Sequence, residues 1–284
     1  WWSLQPVQRP TIPSQAKHPI DAFILAKLNE KSLTPAKRAS RRDLARRAYF
    51  NLTGLPPSPD DLNRFLQDNS PDAWPRLIDR LLASPRYGER WARYWLDLVR
   101  FAETDGYERD KLKPNIWRYR DWVINALNND MPYTRFVAEQ LAGDELPDRT
   151  EQTVIATGMI RAGTWNDEPN DAADYIYTRL EDMVHTTTTA FLGLTVKCAR
   201  CHDHKFDPIL QSDYYRIASF FWAGPVGQAN QGGPTKEQLG FDVYGWTDSS
   251  AQPKPIQLLL QGERHKPGPE IAPGFLSAVT ALDK

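Results

Sequence analysis

From Pro19 to Phe221, apolar residues recur at intervals of three and four positions, the spacing of an amphipathic helix rather than the alternation of a strand. Pro19, at a first helical position, precedes Ile20, Phe23, Ile24, Ala26, Lys27 and Leu28, which predicts a first helix. Ser40 followed by Asp43 reads as an N-cap for a helix through Leu44, Ala48 and Phe50, stopped by Gly54, Pro56 and Pro57. Ser58, Ser70 with Pro71, and Ser84 with Pro85 repeat the device. They open helices through Leu62 and Phe65, through Trp74 to Leu82, and through Trp91 to Ala102. Further helices are predicted over Asn115–Asn129, Tyr133–Ala142, Glu151–Ala162 and Ala172–Leu194, the last in spite of four consecutive Thr at 186–189.

The two ends differ. Residues 1–18 hold Pro6, Pro10 and Pro13 with little apolar periodicity and read as a Pro-rich linker from an upstream domain. Beyond Phe221, Gly224, Gly227, Gly232, Gly233 and Pro234 predict a flexible passage, and Pro255–Leu260 reads as a short strand. The expected organisation is a linker (1–18), a helical domain (19–222), and a loop-rich appendage or start of a following domain (223–284). The fold class is mainly α, an irregular multi-helix array with short β-strands confined to that tail.

Composition narrows the partners. With 35 Lys plus Arg against 36 Asp plus Glu, the net charge of -1 creates no general field toward nucleic acid or anionic membranes. No stretch reaches the apolar length that spans a bilayer. Ten Trp, eleven Tyr and eleven Phe suit a core wrapped round a flat ligand, and suit an ordinary large helical core better.

Only two cysteines occur, and they fall in Lys197-Cys198-Ala199-Arg200-Cys201-His202-Asp203-His204-Lys205-Phe206-Asp207-Pro208. C-x-x-C-H is the attachment sequence of c-type haem: two thiols one helical turn apart add to two vinyl groups, and the adjacent imidazole faces the iron. One covalent haem c, held by Cys198 and Cys201 with His202 as proximal ligand, is therefore expected. Two competing readings are a redox dithiol, which wants a βαβ setting this sequence lacks, and a zinc site completed by His202 or His204 and Asp207.

Asn51-Leu52-Thr53-Gly54-Leu55-Pro56-Pro57, Tyr87-Gly88-Glu89-Arg90-Trp91, Asp105-Gly106-Tyr107, Phe191-Leu192-Gly193-Leu194-Thr195 and the cysteine motif together resemble the planctomycete-type cytochrome c family, the DUF1549 or PSCyt2 domain, over about residues 1–222. The resemblance implies an upstream cytochrome-like domain and a downstream DUF1553 (PSD1) domain in one long exported protein. It matches Cys198, Cys201 and His202 to the haem motif, and His204, Lys205, Asp207 and Pro208 to an H-K-x-D-P tail to which it assigns no role. Covalent haem attachment takes place outside the cytoplasm, so a periplasmic or otherwise exported location is expected.

The sixth iron position decides what such a haem does. His185 is the first candidate for a distal ligand, with Met159 and Met183 as alternatives whose bland role is core packing. Arg118 and Arg120 are candidates to pair with haem propionates, or else form helix-surface ion pairs. His204 is a further propionate partner. The loops Glu103–Asp110 and Trp165–Asp171 carry enough carboxylates for a calcium ion without the spacing of a known calcium loop. The leading expectation is a monohaem electron-transfer domain. Beside it stand a haem oxidoreductase with an open sixth position acting on a small or carbohydrate-derived substrate, with Tyr107, Asp105 or His204 as acid-base groups, and a binding module with structural haem or zinc.

Overall fold

A computed structural model describes residues 4–13, 16, 18–222, 224, 226, 236–247 and 255–280. The chain divides into two compact units, residues 1–51 with 55–78, and residues 52–54 with 79–284. The fold is mainly helical, as the periodicity predicts.

The first unit carries α1 (Pro19–Glu30), most of α2 (Arg41–Thr53), α3 (Pro59–Gln67) and the start of α4 (Ala73–Leu82). The predicted caps form: Ser40 Oγ accepts from the Asp43 amide at 3.2 Å, and Ser58 Oγ from Asp61 at 3.1 Å. The stripe on α1 does not bury as its spacing suggests. Ala22 is the buried residue of that helix, while Ile20, Phe23 and Ile24 stay exposed.

The second unit is built on α5 (Pro85–Leu98), α6 (Trp117–Asn128), α7 (Tyr133–Ala142), α8 (Glu151–Ala156), α9 (Gly158–Arg161), α10 (Ala172–Leu192) and α11 (Gln211–Trp222). Helices α5 and α6 approach closely at Gly88, where a Cβ would lie 2.5 Å from the Ile124 carbonyl. The aromatic residues pack on one another: Trp95 meets Phe136 edge-on at 4.9 Å, and Tyr119, Trp122 and Phe136 stack in succession. Gln140 Oε1 accepts from Trp95 Nε1 (2.9 Å) and Tyr119 OH (2.6 Å), while Trp122 Nε1 donates to Glu139 Oε2 (3.2 Å).

The helix predicted over Glu151–Ala162 is two, broken at Thr157. Thr157 Oγ1 donates to the Val154 carbonyl (2.7 Å) and accepts from the Trp246 amide (2.6 Å), so a segment 89 residues downstream is stitched into the break. Helix α11 has no counterpart in the sequence reading. The expected strand is β1 (Ile256–Leu259). It pairs antiparallel with β2 (Pro267–Ile271) in the register Ile256↔Ile271, Gln257↔Glu270 and Leu259↔Pro267.

The tail expected as an appendage puts Leu239, Trp246, Ile256, Leu259 and Leu276 into the same core as α10 and α11, because its apolar residues find their burial there. Its Gly-rich passage at Gly227, Gly232, Gly233 and Pro234 lies outside the described residues. Among those described, no helix is long and apolar enough to cross a membrane.

Candidate functional site

Helix α10 ends at Gly193, whose positive φ of 66° favours glycine. Val196–Arg200 then forms a 3-10 turn. With three residues per turn, positions i and i+3 share a face. Val196 and Ala199 are fully buried, which drives the opposite face outward and leaves Cys198 and Cys201 both exposed as free thiols. His202, also exposed, sets its Nδ1 2.7 Å from the Asp203 carbonyl. A carbonyl only accepts, so Nδ1 carries a proton, and Nε2 is the nitrogen that could offer a lone pair to a metal.

The next residues hold this turn in place. Asp203 Oδ1 accepts from the Gln211 amide at the start of α11 (2.7 Å). His204 organises the loop that follows: its Nδ1 accepts from the Asp207 amide (2.8 Å) and the Phe206 amide (3.2 Å), and its Nε2 lies 3.1 Å from Thr195 Oγ1. With both ring nitrogens engaged, His204 is a scaffold of the loop. Its place in the H-K-x-D-P tail acquires a physical reason.

The C-terminal hairpin backs the motif, which sequence reasoning did not anticipate. Gln211 Nε2 donates to the carbonyls of Arg200 and Leu259, each at 2.9 Å, and Tyr215 OH to that of Arg200 at 3.1 Å. Gly262, with φ of 74°, lies so close that a Cβ there would stand 2.5 Å from Cys201 Sγ. The signal in the sequence is Gln261-Gly262 after a strand-like run, which marks a tight reversal but not its partner.

The other candidates fall elsewhere. Met159 and Met183 are core residues, each 1% exposed. Arg118 pairs with Glu151 (2.8 Å), and Arg120 with Glu103 (2.8 Å) and Asp121 (2.9 Å). His185 lies on α10 with Nδ1 3.1 Å from Thr189 Oγ1, and lines a polar pocket of about 250 Å³ together with Lys197 and Arg179. Burial, and then the Lys197 ammonium, hold its imidazole below the usual histidine value. An apolar cavity of about 430 Å³ lined by Leu141, Ile160, Phe191, Phe221 and Trp246 includes no residue of the cysteine motif.

The two acidic loops do converge, around a pocket of about 440 Å³. Three of their carboxylates are already matched: Glu168 pairs with Arg109, Asp167 with Lys111 and with Trp165 Nε1 (2.9 Å), and Asp110 accepts from the Gly106 amide (2.8 Å). Among the described residues no group of three or more His, Cys, Asp or Glu is arranged to hold a metal ion.

Behind these loops lies a buried cluster of cations. Arg100 grips Asp182 through Nε (2.9 Å) and Nη2 (2.6 Å). Lys113, 3% exposed, donates to the carbonyls of Ala162 (2.8 Å) and Gly163 (2.7 Å). Arg161 stands 3.8 Å over the Tyr244 ring, and Arg179 4.9 Å over that of Trp165. Burial above all, with Arg179, Arg100 and Arg161 adding to it and Asp105 opposing, depresses the Lys113 ammonium to about 8. A depressed lysine favours the fold most when neutral: its contribution is fully present above 10.5 and lost as pH falls through about 8. The stability of the wild type relative to Lys113→Met should therefore rise by up to about 3 kcal/mol between pH 8 and 10.5 and stay flat below pH 7. Urea unfolding of both proteins across that range measures it, and a difference independent of pH contradicts it.

A family model described as PSCyt2, "Protein of unknown function (DUF1549)", matches residues 19–224. No curated protein and no solved structure matches the chain.

Proposed function

Given that the chain belongs to the PSCyt2 (DUF1549) family, we propose that it is a c-type monohaem domain that relays electrons within a larger exported protein. The observation that carries this reading is the paired exposure of Cys198, inside the 3-10 turn, and Cys201, which caps it, beside an imidazole whose Nδ1 is held by a carbonyl. Those three groups would hold the haem, which when bound supplies one-electron chemistry. The chain's own part is to fix the turn through Val196 and Ala199, to orient His202 through the Asp203 carbonyl, and to back the Cys201 thiol with Gly262. The proposed partners are an upstream cytochrome-like domain and a downstream DUF1553-like domain of the same protein, in the periplasm or another exported location.

A second reading, a haem oxidoreductase with an open sixth position, draws support from the burial of Met159 and Met183 in the core while both cysteines are exposed. Expression of the full chain in a host with haem-maturation machinery separates the outcomes. The expected result is a Soret band and a pyridine haemochrome spectrum of a haem with two thioether links. Absence of haem, or zinc in its place, overturns the proposal. Prompt carbon monoxide binding to the reduced native protein selects the second reading over the first.

A further inference from the structure

The polar pocket beside the cysteine turn has a charge balance that the haem reading does not use. Its acidic members are both paired with arginine: Glu181 with Arg200, and Asp182 with Arg100 through three contacts. Two cationic side chains remain. Arg179 is 3% exposed, lines the pocket, donates one Nη1 bond to the Thr164 carbonyl (2.6 Å), and keeps a buried Nε with no hydrogen-bond partner. Lys197 is exposed and lines the same pocket. The Tyr175 hydroxyl accepts from the Asn166 amide (2.6 Å), which leaves its own proton to donate.

Positive charge also exceeds negative charge behind the pocket. Arg100, Lys113, Arg161 and Arg179 lie within electrostatic reach of one another, against Asp105 and Asp182. Arg161 Nε, like Arg179 Nε, is buried without a partner. Uncompensated buried cations and orphaned donors each cost stability, and an anion with several acceptor oxygens relieves both.

We propose that the pocket lined by Arg179, Lys197, His185 and Tyr175 binds a small oxyanion of the carboxylate, phosphate or sulfate class. Arg179 and Lys197 supply the charge, Tyr175 a neutral donor, and the volume of about 250 Å³ suits a small ligand. Two sources share this chemistry: a free anion, or a propionate of a porphyrin attached at Cys198, the residue next to Lys197. The inference goes beyond the haem reading and stands whether or not haem is attached.

The test titrates the full chain with inorganic phosphate, and separately with malonate, against chloride at constant ionic strength, by calorimetry. Matured protein and the haem-free Cys198→Ser/Cys201→Ser protein are compared. The expected result is saturable binding of one anion per chain in the haem-free protein, weakened roughly tenfold or more by Lys197→Gln, an exposed site whose change spares the fold. It should be unaltered by Lys266→Gln, whose ammonium pairs with Glu263. Binding in both forms identifies a free anion. Binding in the haem-free form alone identifies the porphyrin carboxylate as occupant. No saturable binding in either form, or binding indifferent to Lys197→Gln, overturns the proposal.

Discussion

Replacing Cys198 and Cys201 together by serine is expected to abolish all covalently bound haem and visible colour while leaving a helical, cooperatively unfolding protein. The reason lies in the direction of the turn. Its anchors are Val196 and Ala199, both fully buried, whereas the thiols face solvent and contribute nothing to the aromatic and aliphatic core. That core closes on itself through Trp95, Tyr119, Trp122, Phe136 and Phe191, with Gln140 and Glu139 satisfying the polar atoms among them. Exposed substitutions of this kind change stability by about 0.5 kcal/mol each, so the melting temperature should shift by roughly 2–4 °C. Far-UV circular dichroism melts beside visible spectra make the comparison. A double variant that is unfolded or degraded would mean that the porphyrin organises the interior, contrary to a core that is closed without it.

What the sequence made legible follows from the range over which each signal acts. N-caps are local, and Ser40 and Ser58 with the carboxylates three residues on from each mark their helices to within a residue. Tyr133–Ala142 lies between Asp130-Met131-Pro132 and Gly143 and forms over its predicted span. The stripe of α1 shows the limit of periodicity: Ile20, Phe23 and Ile24 repeat correctly and stay exposed, because spacing says which residues share a face and not whether anything covers it. Thr157 splits a predicted helix through bonds to Trp246, a partner that no local pattern names.

The site divides in the same way. The motif of Cys198, Cys201 and His202 lies within five consecutive residues, and so is visible in the sequence itself. The support from Gly262 and Leu259 is not adjacent in sequence, and neither is the meeting of Lys197 with Arg179 and His185, which needs the end of α10 folded back by Gly193.

Asp213→Ala is expected to be the most damaging single substitution around the motif, because one buried carboxylate joins three segments. Asp213 is fully buried. Its Oδ2 accepts from the Leu210 amide (3.0 Å) and Ser277 Oγ (2.9 Å), and its Oδ1 from the Ser277 amide (3.0 Å) and Arg216 Nη1 (2.6 Å). Leu210 closes the loop built on His204, Arg216 belongs to α11, and Ser277 begins the last described helical turn. Removing the carboxylate strands two backbone donors and a partly buried guanidinium at once, which costs about 3–5 kcal/mol and lowers the melting temperature by roughly 10 °C. Asp213→Asn retains the shape and one acceptor oxygen, and should fall between the two. The loop carries His202 through Asp203, so the yield of matured haem protein should decline in the same order, wild type above Asn above Ala. Chemical denaturation and haem content per chain read the two effects separately, and an alanine variant within 1 kcal/mol of wild type, by the ordinary scatter of surface changes, refutes the assignment of Asp213 as the tie between motif, α11 and tail.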